Sequence, residues 1–179
     1  DGFMVTATTA VPMMIFDKLE VQNGLSGSLY GSQHPSGIFN YTRKRPVDSQ
    51  TIVRVDWSEK ANFGTMLDTS DRFEKVGYRG IFYFNDGEGF VKDSVKRSKL
   101  ANLALDFYPT DDLTIETNFT YYNYIRYGYG ARLMSPQTNG LAKFNVLGAI
   151  ANDKKGIAQT WAGMYLESYN TSVKLKYNI

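Results

Sequence analysis

From about residue 51 to its end, the chain alternates apolar and polar residues with period two. Successive side chains of an extended chain point to opposite faces, so this period specifies strands with one apolar and one polar face. Residues 51–58 set Val53, Val55 and Trp57 against Arg54 and Asp56. Residues 63–69 set Phe63, Thr65 and Leu67 against Gly64, Met66 and Asp68. Residues 76–84 set Val76, Tyr78, Phe82 and Phe84 against Arg79 and Tyr83, with Ile81 blurring the contrast. Leu103, Leu105 and Phe107 oppose Asn102, Ala104 and Asp106. Ile115, Thr117, Phe119 and Tyr121 oppose Glu116, Asn118, Thr120 and Tyr122. Val173, Leu175, Tyr177 and Ile179 oppose Ser172, Lys174, Lys176 and Asn178. The pattern predicts six strands.

Such alternation suits a soluble β-sandwich as well as a membrane barrel. Three features favour the barrel. The strands run to about 10–16 residues, against about 5–6 in ordinary sheets. Tyr and Trp gather near strand ends (Trp57, Tyr78, Tyr108, Tyr121, Tyr122, Tyr124, Trp161, Tyr165), where an interfacial girdle would lie. The face opposite the apolar one carries Asp106, Glu116, Lys174 and Lys176, which suit a hydrated lumen. Connections agree. After the short "SEKA" hairpin, "DTSDRFEK" and "PTDD" turn compactly on one side, while 85–97 and 128–160 loop out on the other. Compact turns at one rim and long loops at the other are the layout of outer-membrane barrels. No apolar run reaches the ~18 residues of a membrane helix.

Residues 1–47 have a different texture and are mixed, ending in a Gly- and Ser-rich stretch and the basic run "TRKRP". No glycine there is followed by Lys as a phosphate loop requires, and the dinucleotide fingerprint is absent. His34 is the one His of the chain and Cys is missing, so no thiolate or paired-imidazole metal site can form. Ser32, His34 and Asp48 make a triad on paper, with no nucleophile elbow to support it. Sequons at Asn40, Asn118 and Asn170 are frequent by chance, and two lie inside predicted strands. The net charge is +2, and three consecutive basic residues fall short of a lipid-binding cluster. No nucleic-acid binding is expected.

The segment "FDKLEVQNGLSGSLYGSQHPSGIFNYTRKRP" (16–46) resembles the end of the plug domain of TonB-dependent outer-membrane receptors, those for ferric siderophores above all. The match runs through Glu20, Val21, Gly24, Leu29, Tyr30, Gly31, Pro35, Gly37, Asn40, Lys44, Arg45 and Pro46. Leu25 stands where the family has Pro. Residues 77–124, including the Pro-Thr-Asp-Asp turn, are similar to the family's third to fifth barrel strands. The resemblance implies an all-β transmembrane antiparallel barrel with an α/β plug inside. Residues 1–47 would be the C-terminal part of the plug, and 48–179 the first barrel strands with their outer loops. Six strands cannot close a barrel, so the chain is expected to be a piece of a larger protein.

The resemblance further implies uptake of a ferric siderophore across the Gram-negative outer membrane, driven by TonB and its inner-membrane complex. Partners would be the ferric siderophore, TonB and outer-membrane lipid. No enzyme activity, resident cofactor or protein-held metal is implied, because the iron travels inside its ligand. Residue by residue, Tyr30 of the Leu-Tyr-Gly motif and the Tyr127-Gly128-Tyr129 run match family positions that touch ligand. Ser32, Gln33 and His34 flank Tyr30, while Tyr124 and Arg132 lie near the second run. A girdle role is the competing reading for Tyr127 and Tyr129. Glu20, Gly24, Gly31, Gly37, Asn40, Lys44, Arg45 and Pro46 would be plug structure, with Glu20 and Arg45 in plug or plug–barrel ion pairs. Alternatives are a TonB-dependent receptor for haem, cobalamin or an oligosaccharide, and a non-transporting outer-membrane barrel.

Overall fold

A computed structural model describes residues 12–22, 38–58, 61–89, 91, 93–128 and 159–178. A short 3₁₀ turn, Met13–Ile15, opens into β1 (Phe16–Gln22), which pairs antiparallel with β2 (Ile38–Arg43). The remaining strands are β3 (Gln50–Ser58), β4 (Ala61–Arg72), β5 (Val76–Glu88), β6 (Val95–Thr110), β7 (Leu113–Tyr127) and β8 (Gly163–Tyr177). They form one antiparallel meander in chain order, each strand bonded to the next. All six strands that the period-two pattern predicts are present. Most are longer than the pattern, because polar residues continue the ladder beyond the apolar stretch: β6 has 16 residues, β7 and β8 have 15.

The burial is inverted relative to a protein that folds in water. One face of the meander exposes its large apolar residues, among them Trp57 (77 %), Val53 (67 %), Leu103 (41 %) and Phe119 (44 %). The other face buries polar ones, among them Asp68 (0 %), Asn102 (2 %), Asp106 (3 %) and Asn118 (3 %). Water would punish so broad an exposed apolar face, whereas a bilayer solvates it. The register stacks this face in rows. Leu113 pairs with Tyr177, and Ile115 with Phe107 and Leu175; Phe119 pairs with Leu103, and Tyr121 with Ala101 and Tyr169. From Leu113 to Tyr121 is about nine residues. At about 3.3 Å each and a tilt near 40°, they rise about 23 Å, close to the ~25 Å band of a membrane barrel.

A collar closes the upper edge of that band. Tyr121 and Tyr169 donate their hydroxyls to Oε1 of Glu167, at 3.2 and 3.0 Å, and Tyr165 donates to Oε2 at 2.9 Å. The Tyr121 and Tyr169 rings lie 5.1 Å apart. Phenols with an apolar body and a polar tip belong at such a boundary. Three of the tyrosines expected in the girdle are not in it. The Tyr108 hydroxyl reaches the inward Asp106 at 3.5 Å. Tyr122 and Tyr124 sit on the opposite, inward face, because strand parity places them with Asn118 and Thr120 rather than with Tyr121. Ile81 likewise does not blur its strand: it is fully buried on the inward face and belongs to an apolar patch there.

Candidate functional site

The inward face is built in tiers, and the segment after β2 crosses its lower tier. Arg43 donates to Asn118 Oδ1 (2.7 Å) on β7, and to Asn170 Oδ1 (2.5 Å) and Ser172 Oγ (3.0 Å) on β8. Lys44 pairs with Asp68 on β4 at 3.2 Å. Arg45 pairs with Asp106 on β6, and donates to the carbonyls of Leu105 (3.1 Å) and Thr117 (3.3 Å). Pro46 packs on Gly77 of β5, where a Cβ would meet the proline Cβ at 2.8 Å. The Val47 N–H donates to Ser70 Oγ at 2.8 Å, and the Ser70 hydroxyl lies 2.9 Å from the Val47 carbonyl. Five residues thus bind five consecutive strands, β4 to β8. An irregular backbone lying along a wall must find partners for its polar groups, and this basic strap finds them in side chains that a water-soluble sheet would place in solvent.

Arg79 ties the strap together. Its guanidinium donates from Nε and Nη2 to both oxygens of Asp68, each at 2.8 Å, and from Nη1 to the Arg45 carbonyl at 3.2 Å. A fork-to-fork pair of this kind fixes orientation as well as charge. Burial pulls the proton affinity of Arg43 and Arg45 below its ordinary value, as desolvation of a cation must. Their carbonyl, amide and carboxylate partners offset that cost.

The β1–β2 hairpin beside the strap carries a separate pair. Glu20 accepts from Lys18 at 2.5 Å and from the Asn40 amide at 2.9 Å. Lys18 first, then Asn40, hold the Glu20 carboxyl below its ordinary value. The folded value lies below the unfolded one, so the contribution is present above the unfolded pKa and fades as pH falls through the folded one. In carboxyl-carbon NMR titrations, Lys18→Gln is expected to move the Glu20 midpoint back up towards the usual range. An unchanged midpoint would show that Lys18 does not set it.

Above the strap lies an apolar patch of Met66, Ile81, Leu100 and Tyr122, against which Ile15 packs. Higher still, Asn85 donates to Asn62 (2.5 Å) and to the Phe63 carbonyl (3.3 Å). Tyr122 and Tyr124 stack with ring centroids 6.3 Å apart.

The residues singled out in the sequence separate accordingly. Lys44, Arg45 and Pro46 are brought together on the wall, and Glu20 with Asn40 on the hairpin. Tyr127 shares its row with Val95 and Gly163 on the outward face, so its parity is that of the girdle residues. Gly128, at φ +73°, then turns the chain at the rim against Ser94. Gly24, Tyr30, Gly31, Ser32, Gln33, His34, Gly37, Tyr129 and Arg132 lie outside the described residues. The wall partners Asp68, Arg79 and Asp106 carry no motif. Their signal is the polar half of the alternation, a charge at a strand centre that must face something. Among the described residues no group of three His, Cys, Asp or Glu side chains could hold a metal.

No family model matches the chain. The ferric-pyoverdine BN7/BN8 receptor of Pseudomonas putida is 26% identical over 113 residues, covering 61% of this chain and 14% of that protein. Among solved structures, FpvAI in complex with pyocin S2 aligns with a TM-score of 0.72 at 18% identity, over 93% of this chain and 22% of the other. The ferripyoverdine receptor of the outer membrane of Pseudomonas aeruginosa, bound to ferripyoverdine, gives 0.70 at 18% identity over the same shares. BauA, the ferric preacinetobactin receptor of Acinetobacter baumannii, gives 0.57 at 25% identity over 64% of this chain and 18% of that one. The chain therefore spans less than a quarter of each of these proteins. The meander is a piece of the same wall, the similar proteins are receptors rather than enzymes, and in sequence and fold the chain is similar to the outer-membrane receptors of ferric siderophores that its own motif resembles.

Proposed function

We propose that the chain is the end of the plug and the first part of the barrel wall of a receptor that binds a ferric siderophore and imports it across the Gram-negative outer membrane, with TonB supplying the energy. The observation that carries this reading is the strap. A sheet whose outer face suits lipid has a polypeptide lashed across its inner face from β4 to β8. A passive barrel has no use for a segment held across its lumen, whereas a gated one needs it. Residues 1–47 are assigned to the plug and 48–179 to the wall. Iron arrives as cargo inside its ligand, and no covalent step is required.

Ligand contact is assigned to Tyr30 with its neighbours Ser32, Gln33 and His34, and to Tyr129 and Arg132, which follow β7 in sequence. Tyrosines give large, rigid contact area with a polar tip, and Arg132 can pair with an anionic ligand group. Tyr127, on the outward face, serves this site by setting the level at which the loop begins.

The test is quenching of Trp fluorescence in the full-length receptor by a panel of ferric siderophores, ferripyoverdine included. Tyr30→Ala and Tyr129→Ala are each expected to weaken binding of the recognised siderophore about tenfold or more, as anchor residues do. Unchanged affinities would overturn the site assignment. Binding of haem, cobalamin or an oligosaccharide, with no ferric siderophore bound, would move the substrate to that class.

A further inference from the structure

The upper end of the inward face is cationic. Lys96 of β6 and Arg126 of β7 are direct cross-strand partners. Both have inward parity, Lys96 with Leu100 and Arg126 with Tyr122. In their row and the two rows below it, β4 to β8 set no carboxylate on the inward face among the described residues. Asp56 of β3, the inward carboxylate at that level, is engaged by Arg54 at 3.1 Å. On the β5 side the neighbour of Lys96 is Gly87, where a Cβ would run into the Ala61 carbonyl, so the place beside the lysine stays bare. On the row beneath, Tyr124 is half-buried, and its ring stacks on that of buried Tyr122. Like charges directly opposite each other on neighbouring strands repel and weaken the sheet. An anion between them turns that cost into attraction.

We propose that Lys96 and Arg126, with the Tyr124 ring beneath them, form a wall subsite for a flat anionic group of the cargo, and that they select ferric complexes with excess negative charge over neutral ones. A guanidinium takes a pair of oxygens through two parallel N–H groups, as in a carboxylate or a catecholate, and the lysine adds a compact point charge. The phenol ring gives a planar group a face to lie on, and Tyr122 backs that ring from below. A surface lined by one sign of charge also gathers the opposite sign and speeds its capture, an effect that salt screens. The pair lies on the wall itself, on residues distinct from Tyr30, Tyr129 and Arg132, so it narrows the class of cargo by a separate set of contacts.

The subsite rests on the siderophore-receptor reading, and the experiment separates the two. The probes are a ferric tris-catecholate and a ferric hydroxycarboxylate, both anionic, and a ferric tris-hydroxamate, in which the ligand charges neutralise the metal. Trp quenching of the full-length receptor is measured with each at low and moderate salt, and folding of every variant is checked by heat-modifiable migration. The parent is expected to bind at least one anionic probe about tenfold or more tighter than the neutral one, the scale of a charge-assisted hydrogen bond, and to lose part of that preference in salt. Lys96→Gln with Arg126→Gln is expected to erase the preference. Lys96→Arg with Arg126→Lys, which keeps both charges, is expected to retain its salt dependence. Lys99→Gln, which removes a charge from the outward face of β6, is expected to match the parent. A loss confined to one anionic probe identifies catecholate or carboxylate as the group bound. A parent that prefers the neutral probe would overturn the subsite. So would a double Gln variant that keeps the preference, or a Lys99→Gln variant that loses as much, since net charge would then explain it. A folded parent that binds none of the ferric probes would overturn the receptor reading, and the subsite with it.

Discussion

Replacing Asp68 by alanine is expected to cost about 3–5 kcal/mol of folding stability. Asp68 has no exposed side-chain surface and is held by Arg79 through two 2.8 Å bonds and by Lys44 at 3.2 Å. Its removal leaves a guanidinium that is 8 % exposed facing an empty acceptor site. A buried charge without its partner costs far more than the pair itself contributes. The loss is to be read from urea unfolding of the full-length protein in lipid vesicles. Asp68→Leu combined with Arg79→Leu removes both charges, and is expected to be less destabilising than Asp68→Ala alone. If the double variant is the worse of the two, the pair stabilises in its own right. If Asp68→Ala costs under about 1 kcal/mol, water reaches the site and the buried description fails.

Leu103→Arg is expected to cost about 2–4 kcal/mol in lipid vesicles, the range for a cation near the midplane of a barrel's lipid face. Leu103 lies between Gly80 and Phe119 near the middle of the outward band, 41 % exposed. On a water-soluble sheet an exposed leucine exchanged for arginine changes stability by less than about 0.5 kcal/mol. The two architectures therefore predict different numbers for one substitution. Charge is tolerated one face away: Lys176 of β8 already points inward and pairs with Glu116. A cost near zero in lipid would overturn the assignment of the outward face.

The wall was legible because period two is dictated by strand geometry and needs no partner to be read. Val53, Leu103 and Phe119 fall on the face their spacing predicts. What the alternation could not supply was the meaning of inward exceptions. Ile81 and Tyr122 look like noise or girdle in one dimension, since their role depends on Ile15, separated from them by long stretches of chain. The strap was half legible. "TRKRP" announced cations, but their acceptors sit on four strands, β4 and β6 to β8, and an ion pair has no local signature. Strand parity also sets the outward direction of Tyr127, which motif matching cannot see.

The strap also bears on the order of assembly. Arg43 bonds to Ser172 across 129 positions of sequence, and to Asn118 across 75. Neighbouring strands of the meander close by short hairpins, apart from the long β7–β8 connection, while the strap's bonds to β7 and β8 demand that those strands already lie side by side. Closing such distant contacts before their ladder exists would cost chain entropy without recompense. The inner segment, which precedes the wall in sequence, is therefore expected to seat after β8 is in place.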